Sequence, residues 1–214
     1  MTIFRQSLRA STLATTLACT LWAHAATAQD AQLYEDTADP TASYVRVITA
    51  GDSVAVIDGQ SFDSVASGVT PYVQVAAGDV SVMIGDIKGE GMVEPASYYT
   101  FLVGADAKST MVRDEITNSP AQADLSLYNL SDLPSVDLFV PKAKAMALTG
   151  VPQSESRAVT LKAPLTLDFE VRSGETQLAL LPAVELKRRE GVTVIFVGSA
   201  GNYTAMVAEN AISN

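Results

Sequence analysis

The chain has 214 residues, with 24 acidic against 14 basic side chains and a formal net charge of −10 at neutral pH. A protein this acidic is not drawn non-specifically to nucleic acid or to an anionic membrane surface, so neither is expected as a partner. It contains one Cys, one Trp and one His, and all three (Cys19, Trp22 and His24) fall within the first 28 residues.

That N-terminal stretch reads as an export signal. Arg5 and Arg9 give a positive start, an apolar and small-residue run follows from Ser11 to Ala23, and Ala26-Thr27-Ala28 offers a small-x-small cleavage site. The run is shorter than the roughly 20 residues that span a bilayer. Thr16 stands where a lipoprotein motif leading to Cys19 needs a leucine. Residues 1–28 are therefore expected to be a signal peptide cleaved after Ala28, which makes the protein exported.

Cleavage there removes the only thiol and the only imidazole. The remaining chain then has no disulfide, no Ser-His-Asp or Cys-His centre and no His/Cys zinc site. Carboxylate, lysine, serine and tyrosine chemistry stay open. Charge is also divided unevenly. Residues 29–120 carry four basic side chains (Arg46, Lys88, Lys108 and Arg113) against 14 acids, whereas residues 121–214 carry eight against ten.

Period-two alternation dominates the chain after the signal, without a helical stripe. Tyr44 to Thr49 alternates, and Val54 to Ile57 runs into Asp58-Gly59, a dipeptide suited to a tight hairpin. From Leu165 to Val171 the odd positions Leu165, Leu167, Phe169 and Val171 are expected on a core face, with Thr166, Asp168 and Glu170 in water.

The two halves can be laid over each other. Tyr44–Thr49 matches Asp124–Asn129, and "SVAVIDG" matches "SVDLFVP". "PYVQVAAGDVSVMIGD" matches "PLTLDFEVRSGETQLA" with Gly78 opposite Gly174, and "YYTFLVGADAK" matches "VTVIFVGSAGN". The expectation is an all-β protein of two tandem β-sandwich domains of immunoglobulin-like or Greek-key type. The domains would cover 29–118 and 123–214, joined by a linker at 119–122 near Asn118-Ser119-Pro120-Ala121.

Candidate chemistry is thin. Glu90 with Glu94, or Asp114 with Glu115, could form a paired-acid site, but they sit in polar sequence and read as solvated surface acids. "DGQSFDS" is too short for a calcium loop, and the glycine pairs of "GEG" and "GSAG" lack a strand–helix crossover. Asn129 and Asp132 read as turn formers, although Asn129-Leu130-Ser131 fits a glycosylation sequon. No catalytic, cofactor-binding or metal-ligating residue is assigned. The pointed feature is basic: Lys187-Arg188-Arg189 ends a strand-like run, and Lys142 with Lys144 follows another. They are either ordinary solvated strand ends or a rim that meets an anionic polymer or an acidic partner face.

The stretch "QLYEDTADPTASYVRVITA", with Leu-Tyr followed by Ser-aromatic-Val-Arg-Val, resembles the AlgF family of alginate O-acetylation accessory proteins. "LSLYNLSDLPSVDLFV", with its Asn-Leu-Ser-Asp turn, and "VIFVGSAGN" resemble the same family. The likeness is strongest at 32–50 and 123–140 and is confined to strand rhythm across 51–97. It implies a periplasmic adaptor of two β-sandwiches, without catalysis or cofactor of its own. Its implied partners are a membrane O-acyltransferase and periplasmic SGNH-type acetyltransferases, with the acidic polysaccharide as a further ligand. The family offers no catalytic motif to transfer. The strongly acidic first half departs from it.

Overall fold

The computed structural model describes residues 41–51, 53–62, 68–104 and 108–213. The expected signal peptide and the start of the family-like stretch at 32–40 lie outside these residues. Everything described belongs to one compact unit running from Ala38 to Asn214.

Alternating sequence becomes strand throughout. The first half holds β1 (Ser43–Thr49), β2 (Ala55–Ile57), β3 (Gln60–Phe62), β4 (Val73–Val75), β5 (Gly78–Ile84), β6 (Ile87–Val93), β7 (Tyr98–Val103) and β8 (Ser109–Asp114). The second half holds β9 (Gln122–Ser131), β10 (Ser135–Val140), β11 (Ala145–Pro152) and β12 (Ser156–Lys162). It continues with β13 (Leu165–Ser173), β14 (Thr176–Leu186), β15 (Gly191–Ser199) and β16 (Asn202–Glu209).

These strands make four sheets, ordered β4-β1-β7-β8 and β3-β2-β5-β6, then β12-β9-β15-β16 and β11-β10-β13-β14. Adding eight to each strand number of the first half gives the second half. The repeat is therefore a repeat of topology: two four-stranded sheets per sandwich, wired alike. One feature is not visible in alternation. In each half the first strand lies parallel to the seventh, Tyr44 beside Tyr98 in one and Asp124 beside Gly191 in the other.

The hairpins follow local chemistry. Asp58 (φ 47) and Gly59 (φ 80) close the two-residue loop between β2 and β3, as the left-handed tolerance of Asp-Gly predicts. Gly85 (φ 57) and Gly174 (φ 58) each open a two-residue loop, between β5 and β6 and between β13 and β14. Gly174 thus corresponds to Gly85. The expected match of Gly78 to Gly174 is displaced by one strand, because β4 is the counterpart of β12 and not of β13. The final match also shifts by one residue: Val103 faces its own core, whereas Val197 belongs to a cluster between the two sandwiches.

Each sandwich has its own core. Val45, Val47, Val82, Tyr99 and Phe101 fill the first; Leu125, Leu127, Leu138, Phe169, Val194 and Phe196 fill the second. Leu165 does not join it. A register shift between Leu167 and Phe169 displaces the strand, and Leu165 ends 42% exposed. Ala183 (φ 53) bulges opposite, its N–H donating to Asp168 Oδ1 at 2.8 Å. Glu170, expected in water, is buried beside Arg172.

Every residue of β1 is buried, and β9 and β15 are buried almost throughout. A strand in a one-sided sheet would bury only alternate residues. Here the outward faces of the β1 and β9 sheets meet. Ile48, Leu102, Tyr128, Leu130, Ile195 and Val197 form a third buried cluster between the sandwiches. At about 2 kcal/mol per buried large apolar side chain, this joint supplies on the order of 10 kcal/mol before entropy losses are subtracted.

The chain ends tighten the joint. The β8–β9 connection is pinned to Asp124, whose Oδ2 accepts from the N–H groups of Thr117 and Asn118, both at 3.1 Å. Beyond β16, Tyr72 N–H donates to Ala211 O and Ser213 N–H to Tyr72 O, each at 2.7 Å. The last described residues of the second sandwich therefore add to the first.

Candidate functional site

At the centre of the joint lies a charged network that the sequence conceals. Arg46 occupies a polar slot of β1, pointing away from its own core, yet it is 1% exposed. Its Nε donates to Thr100 Oγ1 at 3.0 Å, Nη1 to Asn210 Oδ1 at 2.9 Å and Nη2 to Tyr128 OH at 2.9 Å. The guanidinium lies over the ring of Tyr72, 4.3 Å from its centroid. Burial alone would push this arginine down, but Tyr128, Tyr72 and Asp114 outweigh it and hold it above its ordinary value. It is a fixed positive charge.

Asp114, the last residue of β8, supplies the counter-charge. It is 8% exposed and accepts from Tyr72 OH at 2.7 Å and Thr100 Oγ1 at 2.6 Å, with Tyr128 OH as a third donor. The hydroxyls of Thr100 and Tyr128 stand between the two charges and bond to both. Burial pushes the Tyr128 phenol up to about 12 and raises Tyr72 as well, so both keep the protons they donate.

The expectation that Asp114 is a solvated surface acid is therefore overturned. Its lone pairs are filled by hydroxyls, and it holds the two halves together. Period-two patterning places Arg46 and Asp114 on polar faces but carries no sign that those faces meet another sheet. Tyr128 and Asn210, from the second half, complete the network. In such a centre the polar groups are spent on one another, which is the pattern of a structural joint.

Asn129 is also corrected. It lies on β9, fully buried, with its side-chain amide donating to Leu133 O and Val151 O at 3.2 Å each. It ties the β9–β10 turn from inside the strand and is closed to glycan. Asp132 is a turn former, accepting from Ala200 N–H at 2.9 Å and Tyr203 OH at 2.8 Å, bonds that hold its carboxyl below the ordinary value. Glu90 and Glu94 are exposed and paired with Lys88 and Arg113 respectively. Among the described residues, no group of three or more His, Cys, Asp or Glu is placed to hold a metal ion.

The basic residues singled out from sequence lie at one end of the second sandwich. Lys142 and Lys144 occupy the β10–β11 turn, where Val140 faces Ala145. Because β13 runs antiparallel to β10, with Phe139 beside Glu170, that turn lies at the end where β13 begins. Leu165 pairs with Leu186, so Lys187, Arg188 and Arg189 leave β14 at the same end. Lys162, opposite Gln122, adds a further charge there. The group is partly neutralised. Lys187 Nζ donates to Glu209 at 2.7 Å and lies 3.4 Å from Glu190. Arg188 Nε is used on Ala163 O at 2.8 Å. Lys142 and Lys144 have no ion pair among the described residues.

No protein-family model matches the chain, and no curated protein matches it. Among solved structures there is a match. The chain is similar to the C-terminal domain of AlgF. That domain is from P. aeruginosa; the likeness has 20% identity and a TM-score of 0.38, and covers 42% of this chain and 99% of the AlgF domain.

Proposed function

We propose that the protein is a non-catalytic periplasmic adaptor for O-acetylation of alginate or a related exopolysaccharide. It links a membrane O-acyltransferase to periplasmic SGNH-type acetyltransferases. The observation that carries this reading is the use of Arg46, Asp114, Tyr72 and Tyr128 as a buried joint. The groups best suited to polar chemistry are spent on fixing two sandwiches into one body, which leaves the outer surfaces for contact with other proteins. The AlgF-like stretches at 32–50 and 123–140 include two strands of that joint, β1 and β9.

Calorimetric titration of the purified protein with a purified acetyltransferase subunit tests this. Direct binding that weakens as salt rises is expected, together with no turnover of a chromogenic acetyl ester by the protein alone. Ester turnover by the protein alone would refute it.

A second reading is favoured by the strand register that gathers Lys142, Lys144 and Lys187 to Arg189 at one end. There the protein is a module holding an anionic polysaccharide. Reversing the charges of Lys187, Arg188 and Arg189 separates the two readings: loss of polymer retention with acetyltransferase binding intact supports the module.

A further inference from the structure

The outer sheet of the first sandwich, β3-β2-β5-β6, ends on β6, and no strand lies beyond it among the described residues. β6 pairs with β5 from Gly78 beside Val93 to Ile84 beside Ile87 without a register shift. That pairing decides where each backbone group points. Gly85 N–H donates to Val54 O at 2.8 Å, so Gly85 and Met83 bond towards β2, and Val82 and Ile84 bond towards β6. On the facing strand, Ile87, Gly89, Gly91 and Val93 use their N–H and C=O groups on β5. The N–H and C=O groups of Lys88, Glu90 and Met92 point off the sheet, with no backbone partner among the described residues.

Edge strands are normally blunted against chance pairing. β14, the counterpart of β6, is blunted by Pro182 and by the bulge at Ala183. β6 has neither. Its glycines seat it instead: Gly89 lies against Phe101 and Ser109, and Gly91 against Met111, with no room for a Cβ. The edge is therefore regular and held on the core, ready to be paired. The face beside it has a definite chemistry. Met92 is 68% exposed and Met83 40%, and an open groove of about 540 Å³ runs along Asp79, Ser81, Glu90 and Met92. Lys88 is tied to Glu90, whereas Asp79 and Asp86 have no ion pair among the described residues.

We infer that β6 receives an extended, basic segment of a partner protein as a fifth strand of this four-stranded sheet. Main-chain bonds to Lys88, Glu90 and Met92 hold the segment, and its alternate side chains select it. A lysine or arginine opposite Glu90 also meets the uncompensated Asp79, and an apolar side chain covers Met92. The excess of acids in residues 29–120, 14 against four basic side chains, steers such a segment to this half. A second copy does not fit the edge. Antiparallel β6 strands paired about Glu90 set like charges opposite each other, which is unfavourable. The surface does not rest on the adaptor reading, because the edge accepts a strand whichever protein supplies it.

The test is amide hydrogen exchange, followed by NMR on the purified protein, with and without a short peptide of alternating lysine and valine. The controls are a peptide of the same composition with lysines and valines in separate blocks, and one with glutamate in place of lysine. With the alternating peptide, exchange at the amides of Lys88, Glu90 and Met92 should slow roughly tenfold or more, while Gly89 and Gly91 are slow throughout. Glu90→Pro removes an outward N–H and leaves every β5–β6 bond in place, so it should abolish peptide binding at a nearly unchanged melting temperature. Glu90→Lys keeps the strand and should weaken binding severalfold. Fast exchange at the three amides under saturating alternating peptide would overturn the proposal. So would equal binding of the block peptide, or binding undiminished in both Glu90 variants. Slow exchange at the three amides in a self-associated protein without peptide would overturn it in favour of a second copy.

Discussion

Replacing Arg46 by Met tests the joint most sharply. The side chain keeps an unbranched apolar stem but loses its charge, three hydrogen bonds and the contact over Tyr72. Asp114, 8% exposed, is left as a buried carboxylate without a counter-charge. Removing one partner of a buried charge pair costs about 3–5 kcal/mol. For a chain of this size each kcal/mol lowers the melting temperature by roughly 2–4 °C, so a fall of roughly 10 °C is expected. Urea unfolding followed by circular dichroism gives the free energy directly. The companion change, Asp114→Asn, removes the negative charge and keeps an acceptor for Thr100 and Tyr72. The double variant should therefore lose less than the sum of the singles, by about 1–3 kcal/mol. A cost below about 1 kcal/mol for Arg46→Met, or strict additivity, would show that the network does not hold the sandwiches together.

Alkali should open the same joint. The folded-state pKa of Tyr128 is raised to about 12 from 10.0, so unfolded chains lose this proton first. Its contribution, on the order of 2–3 kcal/mol, is fully present below pH 10 and disappears as pH rises towards 12. Melting temperature followed across that window should drop, and Tyr128→Phe should flatten the drop while lowering stability at neutral pH. Gly85→Ala and Gly174→Ala, at φ 57 and 58 with open space around each Cβ, should each cost about 1 kcal/mol in urea midpoint experiments. Gly198→Ala should cost clearly more, because its Cβ would stand 2.1 Å from Asn202 O, a backbone atom that cannot turn away.

Much of the fold is legible in the sequence because its turns are chemical and its faces differ. Asp58-Gly59 announces a hairpin, and the echo of Tyr44–Thr49 in Asp124–Asn129 keeps the same residues on the same faces. The brief β4 defeats the eye: its three residues carry little pattern, and by rhythm alone the glycine after it aligns with a hairpin one strand further on. The joint is illegible for a different reason. Arg46 and Asp114 occupy the positions that alternation assigns to water, and a charge on a polar face looks the same whether solvent or a second sheet lies beyond it. The hint was in composition. Ile48 and Tyr128 share those faces, and large apolar side chains on two strands of matching register mark a surface that is covered.

The adaptor role is tested most directly by the acetyl content of exopolysaccharide from cells lacking this chain, read by proton NMR on purified polymer. Exported polymer without acetyl groups is expected, with acetylation restored by the wild-type chain. Polymer acetylated normally in the absence of the chain would contradict the adaptor role.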